Sequence, residues 1–332
     1  MKFAIDYPTL RPMFWAQNRH VQTLAAFFLK QQKTTRFPYK RKVTLRDGDA
    51  IVIQDDDAKS WITGDRIAIL VHGLCGCHNS SYVRRIGIRL RQHGIRTIRI
   101  DMRGFGDSSL ISRGHIHAGG SNDLADVVRH VNQLSPLSKL TLIGFSLGGN
   151  ILLKYLTEQS QSDLEKMGVD SAIAVSPPID LEYCSAHLRA NGNRIYESYF
   201  VKKLTSGLQH RRRFVKNLVD NGMNPMPDRL VHFDDQFTAP VNGFGGARDY
   251  YRKCSTHSKL QSIKTPTMIV ATQDDPVVPY EIFDTSAFSS STQFVFTKFG
   301  GHLGFLGHHT RDPDRHWLDW RICQWIGDLT GS

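Results

Sequence analysis

The feature that most constrains this chain is five residues long. Gly144-Phe145-Ser146-Leu147-Gly148 reads G-x-S-x-G, the apolar run Leu140 to Phe145 leads into it, and a helix-forming stretch including Ile151 to Leu156 leads out. A strand that turns this sharply into a helix needs glycine where a side chain would collide, and it pushes the serine hydroxyl out beyond the sheet. The first turn of the helix brings unpartnered N–H groups and a field that favours developing negative charge. A serine in that setting is placed as a nucleophile rather than as packing.

The rest of the chain supplies a sheet for such a junction. Short apolar runs at Ile67 to Val71, Thr97 to Met102, Leu140 to Phe145, Ser171 to Val175, Thr267 to Ala271 and Gln293 to Thr297 are interleaved with helical stretches. One helix is expected over 80–92, stopped by Gly94, and another over 121–134, with Leu124, Val127, Val128 and Val131 on one face. Continuous apolar runs suit strands covered on both faces, so the pattern predicts an α/β fold with a mostly parallel central sheet flanked by helices. Val43, Leu45, Ile51 and Ile53 alternate around Asp47-Gly48, the mark of an antiparallel hairpin. A terminal helix places Leu318, Ile322, Trp325, Ile326 and Leu329 on one face.

The alternation stops at Pro177-Pro178 and resumes at Thr267. The stretch between is too long for a bare loop. The expected organisation is an N-terminal extension at 1–42 that packs on the body, a core at 43–178 and 263–332, and a helical cap insertion at 179–262 over the sheet's C-terminal edge.

Composition narrows the function classes. With 40% hydrophobic and 22% charged residues among 332, disorder and fibrous folds are excluded. No run approaches the ~20 apolar residues of a membrane span, and Asp6 and Pro8 interrupt what a signal peptide would need. Five cysteines without framework spacing read as reduced thiols in a cytoplasmic protein. Cys75 and Cys77 have no second Cys or His pair at zinc-site spacing, so no metal is expected, and no organic cofactor either. The net charge of +11 points to an anionic partner without identifying one. Arg211 to Arg213 and Lys40 to Lys42 are the densest basic runs, yet no nucleic-acid-binding motif accompanies them. Nucleic acid is therefore not an expected partner. Peripheral contact with an anionic membrane surface stays open, and oligomeric state is not encoded in these patterns.

A serine hydroxyl needs a base to take its proton and an acid to orient that base. On this kind of sheet the chain order is Ser, then Asp or Glu, then His. Gly300-Gly301-His302-Leu303-Gly304 directly follows the last predicted strand, so His302 can turn back over the sheet edge. His308, His309 and His316 lie in a polar stretch and the terminal helix, where solvated histidines are expected. His309 and Asp314 fit an H-x-x-x-x-D acyltransferase-like pattern, which a chain with fifteen histidines produces by chance. For the acid, Asp274 and Asp275 follow the strand at 267–271. Neighbouring residues alternate direction, and Asp275, immediately before the turn at Pro276, is the choice. Asp274 is left a supporting role or solvent. His72-Gly73-Leu74-Cys75-Gly76 closes the first central strand, and the backbone N–H of Leu74 is expected to join that of Leu147 as an oxyanion donor. His72 reads as a loop-shaping residue and Cys75 as a small loop residue.

Together these residues resemble the α/β-hydrolase superfamily over roughly residues 43 to 330. The closer likeness is to its YheT-like branch, bacterial hydrolases akin to plant embryogenesis-associated proteins and animal ABHD-type lipid hydrolases. Asn18-Arg19-His20-Val21-Gln22-Thr23-Leu24 is similar to that branch's N-terminal signature. So are Asp101-Met102-Arg103-Gly104-Phe105-Gly106 and the stretch from Gly243-Phe244 through Asp249-Tyr250-Tyr251 and Ser255 to Ile263 and Asp274-Asp275. The resemblance implies an α/β-hydrolase fold, a triad on Ser146, Asp275 and His302, and cleavage of small-molecule carboxylic esters, short-chain or lipid-like. A thioesterase or acyltransferase with the same triad is the alternative. A basic protein that binds anionic surfaces or nucleic acid is the remote one.

Overall fold

The computed structural model describes residues 9–28, 38–190, 192–211, 226–308 and 312–330. Arg212, Arg213 and His309 lie outside them, as do Asp6 and Pro8, and so does the side chain of Leu329.

Eight strands form one sheet in the order β1-β2-β4-β3-β5-β6-β7-β8. These are β1 (Tyr39–Thr44), β2 (Ala50–Asp56), β3 (Ile67–Val71), β4 (Arg96–Asp101), β5 (Leu140–Phe145), β6 (Val169–Val175), β7 (Thr267–Thr272) and β8 (Thr292–Thr297). β1 pairs antiparallel with β2, β2 antiparallel with β4, and the pairs from β4 through β8 are parallel. The hairpin strand β1 begins at Tyr39, earlier than hydropathy alone suggests. Tyr39, Lys40 and Lys42 are exposed on this edge strand and Arg41 is half-buried, so no apolar alternation marks its first four residues.

Period-two alternation splits the core into two layers. Ile67, Ile69 and Val71 of β3, with Leu140 and Leu142 of β5, pack in one apolar cluster. It includes α3 (Ser121–Leu134) and α4 (Leu147–Glu158). Ala68 and Leu70, with Ile143 and Phe145, face the other way. Their cluster includes α2 (Ser81–Gln92) and Leu318, Ile322, Trp325 and Ile326 of the terminal helix Trp317–Thr330. At about 25 cal/mol per Å² of apolar area, two such layers are the main stabilising term.

α1 (Arg19–Phe28) precedes the sheet. α5 (Gln161–Lys166) lies before β6, and between β6 and β7 come the helices α6 (Leu181–Leu188) and α7 (Arg194–His210). They are followed by α8, a helical segment over 230–241 with a π turn at Asp234–Thr238, and α9 (Ala247–Cys254). Tyr250, Tyr251 and Cys254 of α9 belong to the same apolar cluster as β3 and β5, so this stretch is anchored in the main core. Much of the positive charge is spent internally: Arg85 pairs with Asp319, Arg99 with Asp56 and Arg96 with Asp55. In the Lys40 to Lys42 run, Lys40 pairs with Asp107 and Arg41 with Asp55. Among the described residues no helix is long and apolar enough to cross a membrane.

Candidate active site

The ends of β5, β7 and β8 converge on one point. Ser146 sits between β5 and α4 with φ 51° and ψ −122°, a conformation few non-glycine residues adopt. A Cβ on Gly144 would overlap the Gly148 carbonyl, and one on Gly148 would overlap the carbonyls of Val71 and His72. Positions 144 and 148 are therefore open only to glycine. The Ser146 N–H donates to the Val175 carbonyl at 2.8 Å, which ties the junction to β6.

His302 Nε2 lies 2.9 Å from Ser146 Oγ. His302 Nδ1 lies 2.9 Å from Asp275 Oδ2 and 3.1 Å from Oδ1. Asp275 Oδ1 also accepts the N–H groups of Val277 at 2.8 Å and Val278 at 2.9 Å. All three side chains are buried. Asp274 takes the supporting role: its Oδ1 accepts the Gly301 N–H at 2.8 Å and so holds the loop that carries His302. Its carboxyl is raised from the usual aspartate range, chiefly by burial.

Leu74 and Leu147 both line the cavity over Ser146. Leu147 is the first residue of α4, where an N–H has no intrahelical acceptor. The neighbouring Gly73 N–H is already given to the Tyr82 hydroxyl at 2.9 Å, which fixes the Leu74 loop. His72 shapes the same region. Its Nε2 accepts the Met102 N–H at 3.1 Å, and its Nδ1 lies 2.7 Å from the Gly73 carbonyl. Burial pushes the Cys75 thiol up to about 12, so it is not an activated nucleophile. His308 is exposed and His316 half-buried, and neither is bonded to this site. Cys77, His78 and Asp101 bring ligand-type atoms within 4.8 Å of one another. Asp101 there accepts from His78 Nδ1 at 2.6 Å and from the N–H groups of His78 and Asp107. Three of the carboxylate's roughly four lone-pair sites are thus taken by the protein itself.

Two residues of the Asn18 to Leu24 stretch carry roles at the site that sequence reasoning did not assign them. Thr23 Oγ1 of α1 accepts the His302 N–H at 2.9 Å while donating to the Arg19 carbonyl at 2.8 Å. Gln22 bonds twice to Leu306, donating to its carbonyl at 2.9 Å and accepting its N–H at 2.8 Å. Gly301 and Gly304 let the loop come this close, since a Cβ on either would collide with α1. His20 Nδ1 lies 2.9 Å from the Tyr196 hydroxyl, so α1 also touches α7. The signature Asn18 to Leu24 thus clamps the histidine loop, a contact across 279 residues.

The cavity itself is about 80 Å³ and mainly apolar. α6 and α7 contribute Leu181, Leu188, Phe200 and Leu204, and β7's following loop contributes Val277 and Val278. An apolar pocket with a few convergent polar groups is the usual form of a small-molecule site.

The family described as alpha/beta hydrolase fold matches over residues 69–308. The chain belongs to the α/β-hydrolase fold family. Within it the chain stands with the YheT- and ABHD-like hydrolases of esterase and lipase type. It is 28% identical over 320 residues to the YheT protein of Escherichia coli (strain K12), a match covering 95% of this chain and 92% of that one. It is 27% identical over 311 residues to phospholipase ABHD3 of Bos taurus, covering 90% and 73%. Est1E from Butyrivibrio proteoclasticus superposes with a TM-score of 0.56 at 16% identity, covering 88% of this chain and 99% of that one, a likeness of fold.

Proposed function

We propose that this chain is a serine hydrolase that cleaves small-molecule carboxylic esters through an acyl-enzyme, with residues 179–262 acting as a cap over the site and 1–42 as an extension packed on the core. The observation that carries this reading is the relay Ser146 Oγ to His302 Nε2 at 2.9 Å and His302 Nδ1 to Asp275 Oδ2 at 2.9 Å. The Asp275 carboxylate accepts from Nδ1–H, which leaves Nε2 unprotonated and facing the hydroxyl. His302 takes the proton as Ser146 Oγ attacks the ester carbonyl. The N–H groups of Leu74 and Leu147 receive the oxyanion. His302 then protonates the departing alcohol. A water molecule, deprotonated by the same imidazole, attacks the acyl carbon and returns the free acid and the serine. The apolar cavity favours an ester with a hydrocarbon portion.

A fluorophosphonate probe should label Ser146, located by mass spectrometry of the labelled peptide. p-Nitrophenyl butyrate should be hydrolysed, and Ser146→Ala should lower turnover by several orders of magnitude. Labelling elsewhere, or an unchanged rate in Ser146→Ala, would refute the proposal.

A further inference from the structure

The cavity over Ser146 is apolar except along one wall, and that wall holds polar groups the hydrolytic relay does not use. His115 lines the cavity, is 3% exposed, and has no hydrogen-bond partner at either ring nitrogen. Its neighbours are aromatic: ring centroids lie 5.7 Å away at Phe105, 6.3 Å at Phe233 and 5.3 Å at Phe237. Asp234, between those last two phenylalanines in sequence, lines the same cavity. It is buried, and its Oδ2 accepts the Tyr251 hydroxyl at 2.7 Å. Ser185 Oγ lies 3.3 Å from the same phenolic oxygen.

Buried polar side chains rarely stay unpartnered, because each gives up its hydrogen bonds to water. A neutral imidazole offers one donor and one acceptor. Burial, with help from Arg211 and His117, holds His115 down to about 3, so the ring is neutral at ordinary pH. The two nitrogens diverge across the ring, so a substrate group pairs with the one it reaches, and a hydroxyl, which both donates and accepts, answers either. A carboxylate or phosphate is a poor match. Among the described residues no Lys or Arg lines the cavity, whereas Asp234 does. A wholly hydrocarbon substrate would leave the imidazole unpaired.

We propose that this wall is a subsite for a hydroxyl group that the substrate carries away from its ester carbonyl, with His115 its direct partner and the Asp234–Tyr251 pair the adjoining polar surface. The inference rests on the ester-hydrolase reading for its substrate class, and it makes His115 a specificity-determining residue. The hydroxyl can sit on the acyl half or the alcohol half of the ester, and the test separates the two.

The experiment compares butyl hexanoate with butyl ω-hydroxyhexanoate and with ω-hydroxybutyl hexanoate, by kcat/KM in a pH-stat. The wild type should prefer one of the hydroxylated esters by at least about tenfold over the plain one, the size of one good hydrogen bond. His115→Phe, which suits an aromatic surround, should bring that ratio close to one. His115→Gln, which keeps a donor and an acceptor, should retain part of the preference. Ratios below about twofold in both arms of the wild type overturn the proposal, and the cavity then holds water or hydrocarbon only. A preference that His115→Phe leaves intact overturns it as well. The wild-type ratios decide the matter even where a variant fails to fold. Calorimetric binding of the three matching amides, which keep the shape of the esters, separates the two readings. Esters cleaved without preference remove the subsite and keep the hydrolase. Esters left uncleaved, with a hydroxylated amide bound about tenfold tighter, remove the esterase reading and keep the subsite.

Discussion

Thr23→Val isolates the contact between α1 and the histidine loop. Valine keeps the branched shape of threonine, so no cavity opens, and a methyl group takes the place of the hydroxyl. Thr23 is 3% exposed and its Oγ1 is the acceptor for the His302 N–H at 2.9 Å. A buried N–H left without its acceptor costs about 1–3 kcal/mol. The loop has little tolerance for that loss. Leu303 and Phe305 flank it with φ of 62° and 43°, conformations that need outside support. If the loop relaxes to recover the bond, His302 moves away from Ser146. The same energy then appears as a fall in kcat of roughly 5- to 150-fold. Steady-state kinetics with p-nitrophenyl butyrate, alongside urea unfolding, reads both consequences. Thr23→Val should lower kcat more than it alters KM, and Thr23→Ser should restore the rate because it restores the acceptor. A Thr23→Val protein with kcat within about twofold of wild type and an unchanged urea midpoint would refute the reasoning.

Other outcomes follow from the same geometry. Gly148→Ala should destabilise the protein by about 3 kcal/mol or more, or prevent folding, because the new Cβ would overlap the backbone carbonyls of Val71 and His72; circular dichroism and the thermal midpoint would report it. Burial holds His115 down to about 3 and His117 to about 4, from 6.5 in the unfolded chain. Above pH 6.5 neither state binds these protons; below it the unfolded chain does and the folded chain does not. Stability should therefore fall with pH by about 1.4 kcal/mol per unit for each histidine. Asp234, raised to about 6 by burial, opposes this over the window between 6 and 3.8 by binding its proton first in the folded state. His115→Phe should accordingly lose less stability than wild type between pH 6.5 and 5 in urea titrations, and equal losses would contradict the assignment.

How much of this was readable in advance differs from residue to residue. The hairpin around Asp47-Gly48, the helix at Ser121–Leu134 and the strand before Ser146 follow from local periodicity and turn chemistry. The structure brings Ser146, Asp275 and His302 together at strand ends, where order along the chain had suggested looking. The choice between Asp274 and Asp275 turned on adjacent side chains pointing apart. Only the structure reveals that Asp274 is occupied too, holding Gly301.

The amino-acid order by itself determined the layered sheet, the strained serine turn and the kinds of side chain available for chemistry, because these depend on repeats of two or three to four residues and on glycine where no Cβ fits. Tertiary structure alone decided that Thr23 and Gln22 hold a loop some 279 and 284 residues away. It likewise decided that His115, without hydrogen-bond partners, should line the cavity with Asp234. Hydrogen bonds between distant segments leave no period in the chain. They exist only once the packed sheet has set the distance and direction between their partners.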